Sequence, residues 1–153
     1  MSIAPIVRSV TVKAPPAKAF DLFANHIGQW WPHGKGVGKE PCVDVVIEPH
    51  DGGRLYERDA NGVETQWGKV LRWDPPSRLL LGWQLNSKWT FDPDFLTEVE
   101  LTFEPADDGG TIVTLEHRDL ERFGADAAKQ AEQLGSGWPA RLANFAEFTS
   151  SHR

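Results

Sequence analysis

Two titratable side chains stand where they could do chemistry. His117 closes the apolar strand face Val113, Leu115, His117, where a neutral imidazole could hydrogen-bond a ligand or act as acid or base. The alternative is a strand-end histidine bonded to backbone. Glu57 shares a face with Leu55 beside the Gly52-Gly53 turn. An inward carboxylate there needs a partner, which Lys69 or Arg54 could supply; the alternative is a solvated strand charge. Neither residue belongs to a recognisable catalytic constellation, so both are weak candidates and the pattern does not define an enzyme. Cys42 follows Pro41 with no activating base nearby, which reads as a plain thiol. His26 and His33 are separated by Trp30-Trp31-Pro32, and His50 sits in a turn. No pair has the close spacing of a helical H-E-x-x-H site, so no metal is expected. The glycines Gly34, Gly36 and Gly38 with Lys35 and Lys39 lack both the strand–loop–helix context and the G-K-[ST] ending of a phosphate loop. No cofactor is implied.

The second chemical signal is aromatic. The chain carries seven Trp against one Met and one Tyr. Tryptophan combines a large apolar area with a single N–H donor and suits cores, pockets and interfaces alike. The residues expected to line a cavity are Trp30, Trp67, Leu81, Trp83, Trp89, Leu101, Leu115, His117, Trp138 and Leu142, with Trp31 beside Trp30. The other reading is that these side chains simply fill the core, and the two overlap, because a Trp lining a cavity also stabilises the fold.

The elements that must position these residues follow from periodicity. Val7 to Lys13 alternates apolar with polar residues, a half-buried strand. Pro15 and Pro16 suit the first turn of a helix carrying Ala19, Phe20, Phe23 and Ala24 on one stripe. A short helix from His26 to Trp31 ends at Pro32. Strands then recur at Val43–Glu48, Arg54–Arg58, Glu64–Trp73, Arg78–Leu85, Thr97–Glu104 and Thr111–His117, joined by turn-length links such as Asn61-Gly62. On Glu64–Trp73 the period of two puts Thr65, Trp67, Lys69, Leu71 and Trp73 on one face. Phe123 to Gln133 reads as Ala-rich helix. Ser136-Gly137-Trp138-Pro139 reads as a restart with Ser136 as N-cap, and Trp138, Leu142, Phe145 and Phe148 form the buried stripe. Short-linked strands with helices grouped at the ends mean an α+β fold with an antiparallel sheet of six to seven strands.

Composition bounds the rest. In 153 residues, 40% are hydrophobic and 25% charged, as expected of one globular domain spanning 1–153. The formal net charge of −6 argues against a nucleic-acid surface. The single cysteine excludes an internal disulfide and fits a reducing, cytoplasmic setting. No apolar run approaches the roughly 20 residues of a membrane helix, so membrane insertion is not expected.

Four separated blocks carry a resemblance: Gly52-Gly53-Arg54-Leu55-Tyr56-Glu57-Arg58; Trp67-Gly68-Lys69-Val70-Leu71-Arg72-Trp73-Asp74-Pro75-Pro76; Thr97 to Phe103 running into Thr114 to Arg118; and Gly135-Ser136-Gly137-Trp138-Pro139. In order and over nearly the whole chain, they resemble the SRPBCC (START-related, helix-grip) superfamily and its activator-of-heat-shock-protein-90-ATPase homologue subgroup. The resemblance implies a curved antiparallel sheet gripping a long C-terminal helix around an apolar cavity. The implied partner is a small hydrophobic or aromatic ligand. Three functions stay open: ligand binding; an enzyme of cyclase, dehydratase or hydrolase type in the same cavity; and a chaperone-interacting protein. The last predicts an exposed apolar patch, for which Trp31, Phe91 and Phe95 are available, and a homodimer through the same segments is equally open.

Overall fold

The computed structural model describes residues 3–32 and 40–152. His33 and the glycine loop Gly34, Gly36 and Gly38 lie outside the described residues. Strand β1 (Ile6–Val12) leads into helix α1 (Pro16–Ala24), which begins at a proline whose missing N–H costs nothing in a first turn. The Asn25 N–H bonds the Asp21 carbonyl at the far end of α1. Helix α1 buries Ala19, Phe20, Leu22, Phe23 and Ala24, and the single turn of α2 (Ile27–Trp30) buries Ile27 and Trp30. Six further strands follow: β2 (Cys42–Ile47), β3 (Arg54–Asp59), β4 (Glu64–Asp74), β5 (Arg78–Trp83), β6 (Thr97–Pro105) and β7 (Thr111–Arg118). They form one antiparallel sheet in the order β1-β7-β6-β5-β4-β3-β2, meander pairing with β1 returning to the far edge beside β7.

Strict alternation governs β6 and β7. Val99, Leu101 and Phe103 face inward beside Val113, Leu115 and His117, all buried. The opposite face carries Glu98, Glu100 and Glu116 around the guanidinium of Arg118. Strand β4 departs from the expected parity. Its register shifts once against β3, where Gln66 and Gly68 take the consecutive partners Tyr56 and Leu55, and again against β5, between Val70 and Arg72. Trp67 and Leu71 are thus extra residues, and each bulge flips the faces beyond it. Trp67, Val70 and Trp73 consequently share the inner side, with Trp73 edge-on to Phe20 at 5.0 Å. Lys69 turns outward, and Arg54, its partner across the ladder, is held by Glu48 and Glu64. Neither basic residue therefore reaches Glu57, which lies buried on the inner face at 5% exposure. Gly68 is required where β4 crosses β5, since a Cβ there would lie 2.6 Å from the Gly82 carbonyl oxygen.

The C-terminal helix also differs from expectation. A 3-10 segment (Leu120–Asp126) runs directly into helix α3 (Ala127–His152), which is continuous through Gly135, Gly137 and Pro139, so Ser136 is not an N-cap. A proline inside a helix leaves the carbonyl four residues earlier without its donor. Here that carbonyl belongs to Gly135, and Arg8 of β1 donates to it through Nη2 at 3.2 Å. The strand edge thus supplies the hydrogen bond that Pro139 cannot. Helix α3 lays Leu134, Trp138, Leu142 and Phe145 on the sheet, and Phe145 contacts Phe23 at 5.1 Å and Trp30 at 5.3 Å.

Candidate functional site: a tryptophan-walled cleft

Four indoles form a closed circuit between sheet and helix. Trp31 meets Trp67 at 5.5 Å, Trp67 meets Trp83 at 5.4 Å, Trp83 meets Trp138 at 5.6 Å, and Trp138 returns to Trp31 at 5.9 Å. Each comes from a different element: Trp31 caps α2, Trp67 is the first bulge of β4, Trp83 ends β5, and Trp138 lies on α3. Most pairs are edge-to-face, the arrangement the ring quadrupole favours. The crevice they enclose with Leu81, Leu101 and neighbouring apolar side chains holds only about 10 Å³, roughly one water. The Nε1 of Trp67, buried in that wall, has no hydrogen-bond partner among the described residues.

His117 stands behind Trp83 and Trp138, fully buried. An indole N–H can only donate, so the 3.2 Å bond from Trp138 Nε1 makes His117 Nδ1 the acceptor. The ring proton is then on Nε2, which donates to Thr97 Oγ1 at 2.8 Å. Burial drives the imidazole pKa down to about 3, and the ring is neutral throughout the physiological range. Both nitrogens are committed, and the histidine ties the inner face of the sheet to α3.

Beyond Trp83 and Trp138 the packing opens. A cleft of about 140 Å³ is lined by Trp83, Trp89, Gln133, Leu134, Gly137, Trp138 and Arg141. Its outer lip is the β5–β6 connection. The Asn86 side chain accepts from the backbone N–H groups of Lys88 and Thr90 and pins Trp89 at φ 57°, a left-handed conformation unusual for a bulky residue. Trp89 is 42% exposed and meets Trp83 at 6.4 Å. Gln130 of α3 donates to the Ser87 carbonyl and fastens the lip to the helix. Facing it, Arg141 stacks over Trp31 at 4.8 Å and donates to the Gly137 carbonyl, while burial pushes its pKa down.

The structure thus brings Trp67, Leu81, Trp83, Leu101 and Trp138 to one apolar crevice, and Trp83, Trp89 and Trp138 to the adjoining cleft. Leu115 and Leu142 lie in the core beneath. Trp30 packs against Phe23 and Phe145 and donates its indole N–H to the Leu22 carbonyl, while its neighbour Trp31 completes the circuit. Glu57 is not among the residues lining either space. Among the described residues the indoles leave the crevice only about 10 Å³. Trp31, Phe91 and Phe95, expected as an exposed patch, are each half-buried against the core. Arg141 was not foreseen, although its place three residues after Trp138 puts it on the same helical face.

Comparison with known proteins follows the same outline. Over 95% of this chain and 97% of that one, it is 36% identical to Txn09, an anthrahydroquino-γ-pyrone synthase, with a TM-score of 0.67. Over 97% and 95%, it is 33% identical to CalC of Micromonospora echinospora, a self-sacrificing resistance protein, with a TM-score of 0.73. An Aha1 dimer from Colwellia psychrerythraea shares the fold at 15% identity, covering 95% of each chain with a TM-score of 0.66. No curated protein sequence matches the chain significantly. Residues 13–149 match the model of the activator of Hsp90 ATPase homolog 1-like family, and the chain belongs to that family, on an SRPBCC helix-grip fold.

Proposed function

We propose that this protein binds a small planar aromatic molecule in the cleft between the sheet and α3. The observation that carries the proposal is the circuit of Trp31, Trp67, Trp83 and Trp138, opening at Trp89 into a space of about 140 Å³. Apolar cavities of about 150 Å³ take a single benzene. The cleft therefore admits one ring as it stands. Stacking on fixed indoles gives affinity at low conformational cost and tolerates many ring systems. The relatives above 30% identity support the reading, one being a synthase of an aromatic pyrone and the other a resistance protein.

The synthase similarity favours a second reading, turnover of the ligand in the same cleft. Among the described residues the cleft lining holds no carboxylate and no histidine, and His117 is screened by Trp83 and Trp138. Such a reaction would rest on orienting and desolvating a reactive substrate rather than on an acid–base pair. The chaperone reading has no comparable observation behind it among the described residues.

Titration with a panel of mono-, bi- and tricyclic aromatics tests the proposal by tryptophan fluorescence and melting temperature. Saturable quenching with a raised melting temperature is expected for at least one ring size. A panel that moves neither signal refutes it.

A further inference from the structure

Among the described residues Arg141 meets no counter-charge. Arg54, Arg58, Arg78, Arg118 and Arg122 each pair with a carboxylate. Among the described residues none lies within ion-pair distance of Arg141, and residues 33–39, HGKGVGK, contain no acidic side chain. Its guanidinium nevertheless sits in the cleft wall, stacked on Trp31 at 4.8 Å and spending one N–H on the Gly137 carbonyl at 3.2 Å. Its Nε is buried without a partner. Gly137 leaves room for the guanidinium, since a Cβ there would meet Nη1 at 2.9 Å. A half-buried cation without an anion is costly, and truncation to a neutral chain would remove the cost. Of the two other buried orphan atoms, Gln84 Oε1 is an acceptor on a residue lining neither space, and Trp67 Nε1, in the adjoining crevice, is a donor. The site thus presents spare donors on aromatic walls and waits for an acceptor.

Resting on the aromatic-cleft reading, we propose that the ligand is an aromatic anion. Its negative oxygen, a carboxylate or an acidic phenolate on the ring system, is held by the guanidinium of Arg141 while the ring lies among Trp83, Trp89 and Trp138. The planar fork of arginine suits two oxygens of one carboxylate, or a phenolate with a neighbouring carbonyl. A lysine at this position would offer a point charge without the stacking surface that Trp31 uses.

The probes are benzoate, 2-naphthoate and 2-anthroate, each with its neutral carboxamide, titrated into wild type, Arg141→Met and Arg141→Lys at pH 7.5. Wild type is expected to prefer the carboxylate of the best-fitting ring by about tenfold to a hundredfold, the usual strength of a hydrogen bond to a charged group. Arg141→Met abolishes that preference, so that acid and amide bind alike; binding of the amide by the variant shows that it is folded. Arg141→Lys recovers part of the preference. Equal binding of acid and amide by wild type, or equal loss of both in Arg141→Met, overturns the anion site and leaves the aromatic cleft standing. Failure of all six probes to bind wild type overturns both.

Discussion

Replacing His117 by Leu tests whether the imidazole is a neutral structural bridge. The substitution keeps the volume roughly constant and strips two buried groups of their partner, the Trp138 indole N–H and the Thr97 hydroxyl. An unsatisfied buried polar group costs about 1–3 kcal/mol, so the variant, with two of them, should lose roughly 2–6 kcal/mol at pH 7.5. The wild type carries an opposing liability. Its imidazole has a pKa of about 3 when folded, against an ordinary value near 6.5 when unfolded. A depressed folded pKa means that the unfolded chain takes up the proton first, so stability is full above pH 6.5 and falls as the pH drops toward 3. At pH 4.5 this one group should cost the wild type about 3 kcal/mol, and the leucine variant none of it. Carboxylates titrate in both proteins and cancel in the difference. Urea unfolding of both proteins at pH 7.5 and 4.5 should therefore show the gap between them shrinking by most of that amount. A gap that is the same at both pH values would refute the argument, because it would mean that the imidazole titrates alike in the folded and unfolded chains.

Other perturbations act on separate features. Gly68→Ala drives a Cβ into the Gly82 backbone and should destabilise by about 1–3 kcal/mol, read as a lower urea midpoint with unchanged slope. Trp89→Gly relieves the left-handed backbone, worth about 1 kcal/mol, yet removes the lip of the cleft. Melting temperature should hold or rise while affinity for the best aromatic probe falls. Arg8→Ala should cost about 1 kcal/mol in the wild type but less beside Pro139→Ala, where residue 139 regains an N–H for the Gly135 carbonyl; equal costs in the two backgrounds would exclude the substitution of one donor for another. Glu100 is partly desolvated, which raises its pKa, but hydrogen bonds from Arg118 and Arg78 outweigh this and hold the carboxyl below its usual range. The destabilisation caused by Glu100→Gln, about 1 kcal/mol for one member of a partly exposed network, should thus be present at pH 7 and vanish as pH falls through the carboxylate range.

Much of the fold was legible because the alternation on β6 and β7 is unbroken and the turns between strands are marked by Gly, Asn and Asp. The misreadings have identifiable physical causes. Two bulges in β4 each shift the face by one residue, so a strict period of two misassigned Lys69 and Leu71 while still placing Trp67 and Trp73 inward. The run Gly135 to Pro139 looked like one helix ending and another beginning; that it is continuous depends on Arg8, a contact between residues 127 apart that no local pattern carries. At the site, the tryptophan count leads one to expect an aromatic-walled space, and Trp67, Trp83 and Trp138 line one crevice while Trp83, Trp89 and Trp138 line the adjoining cleft. How little room they leave depends on ring orientations, which spacing does not encode. Arg141 escaped notice because a search for apolar stripes passes over a cation that packs its planar face on an indole.

The closed circuit of indoles also has an optical consequence. Chromophores at these separations exchange excitation far faster than they emit, so light absorbed at Trp67, Trp83, Trp138 or Trp31 is pooled before it leaves as fluorescence. Their near-ultraviolet and far-ultraviolet transitions couple as well, adding exciton bands to the circular dichroism that owe nothing to helix or strand. A molecule that quenches one ring therefore darkens the whole set, and one that rotates a single indole reshapes the dichroism of all four. If a molecule binds in the proposed cleft, the circuit would report its own occupancy, and the emission lost per bound molecule would count how many rings share a single excited state.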